Sequence, residues 1–129
     1  MASELKVDKF TGVTTAGSIS VTGEGNSTTT NLQQGLAKVW VNFDGTSSGA
    51  AARDSFNVSG QADNGTGDYT TSFTNNMNND DYAAPEGTNE AQAELKTLAT
   101  GSLRLETMNS SGSSSEKDTS TFAVLGDLA

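Results

Sequence analysis

Cysteine and histidine are both missing from this 129-residue chain. The first absence excludes disulfides and thiolate metal sites. The second removes the commonest general base and metal ligand at neutral pH. Basic residues are few, seven against sixteen acidic ones, for a net charge of −9. Nucleic-acid binding needs a basic patch, and Lys6, Lys9, Lys38, Arg53, Lys96, Arg104 and Lys117 are scattered along the sequence. No run approaches the ~18 apolar residues of a membrane span, so no membrane insertion is expected. Met1 leads straight into polar Ser3 and Glu4, which predicts that no signal peptide is present. Large apolar residues are also scarce: five Phe, two Tyr, one Trp, and a hydrophobic fraction of 33%. A chain of this size normally buries roughly two-thirds of its unfolded surface. Its core must be thin, and burial between subunits is expected to supply the rest, so a homo-oligomer is expected.

What is present is period-two alternation, which marks strands with one buried and one wet face. It is clearest between Ala37 and Tyr82. Val39, Val41 and Phe43 share one face of a first strand, and Lys38, Trp40 and Asn42 the other. Phe56 and Val58 alternate with Ser55, Asn57 and Ser59 in a second. Tyr69, Thr71 and Phe73 alternate with Thr70, Ser72 and Thr74 in a third. Asn64-Gly65 between the last two predicts a type I′ hairpin, because both residues tolerate positive φ. Further on, Leu103, Leu105 and Thr107 alternate with Arg104 and Glu106. Phe122 and Val124 alternate with Thr121, Ala123 and Leu125, and the apolar residues on both faces predict a central or interface strand. Glu90–Leu98 has helical leanings, with Ala91, Leu95 and Leu98 on one face.

The predicted core is therefore Val39, Val41, Phe43, Phe56, Val58, Tyr69, Phe73, Leu103, Leu105, Phe122 and Val124. Short strands separated by turn clusters predict an all-β fold, a small antiparallel β-sandwich, jelly-roll-like or Ig-like, of about six to eight strands. Residues 35–129 form that domain. Residues 1–34 are an extended N-terminal arm and polar connector. In the arm, Leu5 and Val7, then Ile19 and Val21, alternate with polar neighbours across the Thr14–Gly17 turn region. A short strand pair is not stable alone in water. The arm is thus expected to pair with a partner, and Leu5, Val7, Ile19 and Val21 are its candidate interface residues. Trp40 joins them, since it faces away from Val39 and Val41 and Trp is enriched at interfaces.

Catalysis finds little footing. Serine-type chemistry needs a base beside the hydroxyl, and without histidine only Lys or Thr variants remain. The carboxylate pairs Asp63 with Asp68, and Asp80 with Asp81, could in principle cleave glycosides. They lie in polar turns, where Asp and Asn occur for backbone reasons. Asp63 and Asp68 are likewise the candidate ligands for a calcium ion, which takes oxygen ligands in flexible loops. Their spacing does not match a twelve-residue EF-hand loop, and a tight turn accounts for them. No cofactor and no metal is expected. Asn26, Asn57, Asn64 and Asn109 stand in glycosylation sequons, which composition alone explains. Trp40, Tyr69 and Tyr82 are the aromatics that could form a platform for a glycan.

Several phrases carry a family resemblance: AKVWVNFDGT at 37–46, RDSFNVS at 53–59, DNGTGDYTTSFTNNM at 63–77, SLRLETMNSSG at 102–112 and STFAVLGD at 120–127. Their order resembles a module recurrent in tail-fibre and appendage proteins of tailed bacteriophages, many of which infect marine bacteria. The opening ASELKVDKFTG is similar to the start of many such structural proteins. The resemblance implies a virion component with a β-sandwich, made in the host cytoplasm, and not an enzyme. It implies a homotrimer by analogy with phage fibres, and other virion proteins, of the tail or the major capsid, as partners. The module occurs in more than one appendage, so the position on the particle stays open. A capsid decoration or cement protein is the alternative, and a carbohydrate-binding module for host-surface glycans a second one.

Overall fold

The computed structural model describes residues 4–12, 19–23, 25, 27–89 and 92–129. The chain divides into two compact units, Met1–Gly35 and Leu36–Ala129.

The larger unit is an antiparallel all-β sandwich of two four-stranded sheets. Its strands are β3 (Ala37–Phe43), β4 (Ala52–Phe56), β5 (Val58–Gly65), β6 (Asp68–Phe73), β7 (Glu86–Thr88), β8 (Gln92–Ala99), β9 (Ser102–Met108) and β10 (Ser120–Leu125). One sheet has the order β4-β3-β10-β7 and the other β5-β6-β9-β8. The last strand pairs with the first, Phe122 opposite Val41 and Val124 opposite Val39. β10 is therefore central and buries Phe122 and Val124. Across the interior, Tyr69 and Phe73 of β6 and Leu103 and Leu105 of β9 complete the same cluster. The Phe43 and Tyr69 rings meet edge to face at 5.0 Å, and Phe73 meets Tyr82 at 6.3 Å. Val58 packs on this core from its rim. Ala50, Met77, Tyr82 and Ala84, in segments between strands, are also buried. The core is thus thickened by loops as well as by strands.

Phe56 is not in the core: it is 54% exposed. The predicted second strand is two strands, because the chain turns a corner at Asn57 and passes from one sheet to the other. Asn57 has φ 59°, the left-handed region. Its amide donates to the Lys38 and Asn75 carbonyls, and its Oδ1 accepts from the Asn75 N–H and side chain. The corner reverses the alternation, so Val58 turns inward while Phe56 stays outside. Asn57→Ala is expected to cost about 2–3 kcal/mol, from left-handed strain plus lost hydrogen bonds. Asn57→Gly keeps the conformation and is expected to lose less. Urea titration of the three proteins checks the order, with wild type first and alanine last.

Two further expectations change. The hairpin tip is Gly65–Asp68, with Thr66 and Gly67 as its loop residues and Gly65 opposite Asp68. Positive φ falls at Gly65 and Gly67, not at Asn64, so the Asn64-Gly65 pair does not form the predicted type I′ turn. The stretch with helical leanings, Glu90–Leu98, is a strand from Gln92 onward, while Glu90 and Ala91 lie outside the described residues. Ala93 and Leu95 follow the two-residue period, then the pairing with β9 slips between Leu95 and Thr97. That irregularity brings Leu98 opposite Leu103 and onto the core side. The resulting three-residue step from Leu95 to Leu98 imitates helical spacing, and pairing along β9 overrides the local propensity.

The smaller unit holds β1 (Ser20–Thr22) paired antiparallel with β2 (Thr29–Asn31), followed by a single helical turn α1 (Leu32–Gly35). Asn31 caps that turn, its Oδ1 accepting from the Gln33 and Gln34 N–H groups. Val21 therefore pairs with Thr30 rather than with the Leu5–Val7 segment, and the polar connector supplies the partner strand. Residues 4–12 form no strand; the predicted turn around Thr14–Gly17 lies outside the described residues.

Candidate functional site

The predicted contact residues fall on surfaces rather than in a cleft. Leu5 is 75% exposed, Val7 48% and Phe10 63%. Val21 is exposed on β1, and Ile19 beside it is partly buried. Trp40 lies on the sheet face opposite the core, partly buried, directly between Phe56 of β4 and Ala123 of β10. Phe56, Trp40 and Ala123 thus make one apolar row across three strands, because directly opposed residues share a face. The row ends at β4, which pairs with β3 alone among the described residues. At the far side of the sandwich β7 and β8 are neighbours. Among the described residues β4 and β5 each pair on one side only, as do β7 and β8.

The turn carboxylates are engaged. Asp63 accepts the Gly65 N–H. Asp68 accepts Arg104 Nε at 2.8 Å and pairs with a second guanidinium nitrogen. Asp63 and Asp68 therefore do not converge on a cation, and no group of three or more acidic side chains suited to a metal occurs among the described residues. On the same outer face Lys96 pairs with Glu94 and Glu106, and Glu106 also accepts the Ser114 hydroxyl. Asp44 accepts the Thr46 hydroxyl and N–H and pairs with Arg53. These contacts lower the Asp68, Glu106 and Asp44 carboxyls below the ordinary carboxylate range. The principal causes are hydrogen bonds from Arg104, Lys96 and Thr46 respectively. None of the three is held neutral, as a general acid would be.

The sign of the pH dependence follows. A carboxyl lowered in the folded state adds stability above its unfolded pKa, and that stability is lost as pH falls through the folded value. Urea midpoints are expected to decline as pH drops below about 4. Asp68→Asn should flatten that decline. An unchanged acid profile in the variant would mean that the Asp68–Arg104 pair contributes nothing, as many exposed pairs do.

Of the aromatics considered for glycan stacking, Tyr69 and Tyr82 are buried. Tyr69 donates to the Gly45 carbonyl, and Tyr82 to the carbonyls of Ala99 and Ser102. They brace the interior and leave Trp40 alone at the surface. Sequence reasoning missed the exposure of Phe56 and did not weigh Phe10, whose apolar side chain in a charged stretch was the available signal. No family model, curated protein or solved structure matches the chain.

Proposed function

We propose that this chain is a structural component of a tailed-bacteriophage virion, of tail-fibre or appendage type, assembled through its N-terminal arm and its β-sandwich. The observation that supports this is the distribution of unburied apolar side chains. Leu5, Val7 and Phe10 on the arm and Phe56 on a free sheet edge present apolar surface in a chain that is otherwise polar and acidic. Such surface marks contact sites between proteins. The charged side chains pair with one another as braces, which fits a building block better than a catalyst. Its partners would be further copies of itself, with a trimer as the expected state, and tail or capsid proteins of the particle.

Particles assembled with and without this protein, compared by cryo-EM difference density and by adsorption to host cells, test the proposal. Density at the tail, lost together with adsorption, supports it. Density spread over the head, with adsorption intact and shell robustness altered, would replace it with a capsid decoration protein. The four-by-four sandwich, a knob in its own right, favours that second reading. Absence from the particle overturns both.

A further inference from the structure

The arm and the free edge of β4 are complementary. We propose that the arm of a second copy adds to β4 as an antiparallel strand, with its Val7 opposite Phe56 and its Lys9 opposite Asp54. This rests on the assembly proposed above, in which copies of the chain contact one another. An extended segment can join an exposed sheet edge through main-chain hydrogen bonds, with alternate side chains setting the register. The arm alternates suitably: Leu5, Val7 and Lys9 would share one face. On β4, Asp54 and Phe56 share the face that continues through Trp40 to Ala123. Placing Val7 on Phe56 extends this apolar row by one strand.

Charge selects the direction. Antiparallel pairing with Val7 on Phe56 sets Lys9 against Asp54, whose carboxylate accepts the N–H of neighbouring Ser55. Parallel pairing with the same contact would set Leu5 against Asp54 and leave the carboxylate facing an apolar side chain. The outer edge of β5 fits less well. β5 carries two register irregularities, between Val58 and Gly60 and between Asp63 and Gly65, and such irregularities interrupt a ladder; β4 carries one, between Ala52 and Asp54, which leaves Asp54 and Phe56 in register. A head-to-tail contact of this kind repeats from copy to copy and closes into a ring when the rotation permits.

The lack of native cysteine makes a clean cross-linking test possible. Val7→Cys and Phe56→Cys are made in separate full-length chains, mixed and oxidised. Both positions are exposed, so neither change should unfold the protein. A disulfide needs Cα atoms within about 7 Å, so the pair should cross-link at least about tenfold more than Val7→Cys with Ser72→Cys, on the other sheet. Lys9→Glu or Asp54→Lys alone should lower the yield, and the two together should restore it. A yield equal to the Ser72 control overturns the proposal. So does a chain carrying both Val7→Cys and Phe56→Cys that closes only within itself. Cross-linking uses purified protein, so its failure leaves the particle-density experiment to judge the virion role separately.

Discussion

Gly67→Ala is expected to destabilise the sandwich by about 3 kcal/mol or more, combining left-handed strain of about 1–2 kcal/mol with an overpacking cost of about 1–3 kcal/mol. Gly67 has φ 70° and is buried at the tip of the β5–β6 hairpin. A methyl group there would stand 2.5 Å from the Thr107 carbonyl oxygen and 2.7 Å from the Ser115 nitrogen. Both are backbone atoms, and both are pinned. The Thr107 N–H donates to the Gly67 carbonyl at 2.7 Å, and the Ser115 N–H donates to the Thr107 carbonyl at 2.9 Å. The Thr107 hydroxyl also donates to the Ser115 carbonyl. The loop after β9 therefore lies across the hairpin tip, and neither can retreat without breaking the other's bonds. Native domains hold only about 5–15 kcal/mol in all. Chemical denaturation should show a large fall in midpoint with little change in slope. Gly65→Ala provides the contrast: it also has positive φ, 130°, but a methyl there meets nothing within 4 Å. Equal losses at the two positions would mean that conformation alone, and not the close approach, makes Gly67 a glycine.

That close approach also shows what could be read from the sequence and what could not. β3, β6, β9 and β10 were legible because each has one dry face and one wet face, and the two-residue period is local. The buried set Val39, Val41, Phe43, Tyr69, Leu103, Leu105, Phe122 and Val124 follows from it. Where the pattern is set by distant chain, it was not legible. Met77 sits in a run of Asn residues and has no local period, yet it is buried because its N–H is held by Thr100 and it bridges to Leu128. Asp68 looks like a solvated turn residue until Arg104, on the neighbouring strand, is brought beside it. Phe56 looks like core until Asn57 turns the corner. Of the surface proposed for assembly, the alternation in the arm is local, but the outer position of β4 follows only from sheet order.

Tyr69 carries the second large effect, and two substitutions separate its two roles. Tyr69→Ala is expected to cost about 3–5 kcal/mol, the range for removing a buried aromatic ring. The ring is fully buried, packs edge to face on Phe43, and joins the β3 sheet to the β6 sheet. Tyr69→Phe keeps that packing and removes only the hydroxyl, which donates to the Gly45 carbonyl at 3.2 Å. Its expected cost is about 1–3 kcal/mol, because the carbonyl is left without this donor in a buried place. Gly45 is itself shaped by the tyrosine, since a methyl at position 45 would stand 2.3 Å from the Tyr69 hydroxyl oxygen and 2.9 Å from the Lys117 carbonyl oxygen. The Gly45 N–H donates to that same Lys117 carbonyl. The hydroxyl thus holds the turn after β3 and, through it, the segment leading to β10. Burial raises the Tyr69 pKa above its ordinary value. Its stabilisation is complete below the unfolded value of about 10 and is lost as pH rises through the higher folded one. Denaturation across the alkaline range should therefore show a decline that Tyr69→Phe weakens, with Tyr82, also raised by burial, supplying the remainder. If Tyr69→Phe were as costly as Tyr69→Ala, the hydrogen bond to the turn, and not the ring packed between the sheets, would be what the sandwich depends on at this position.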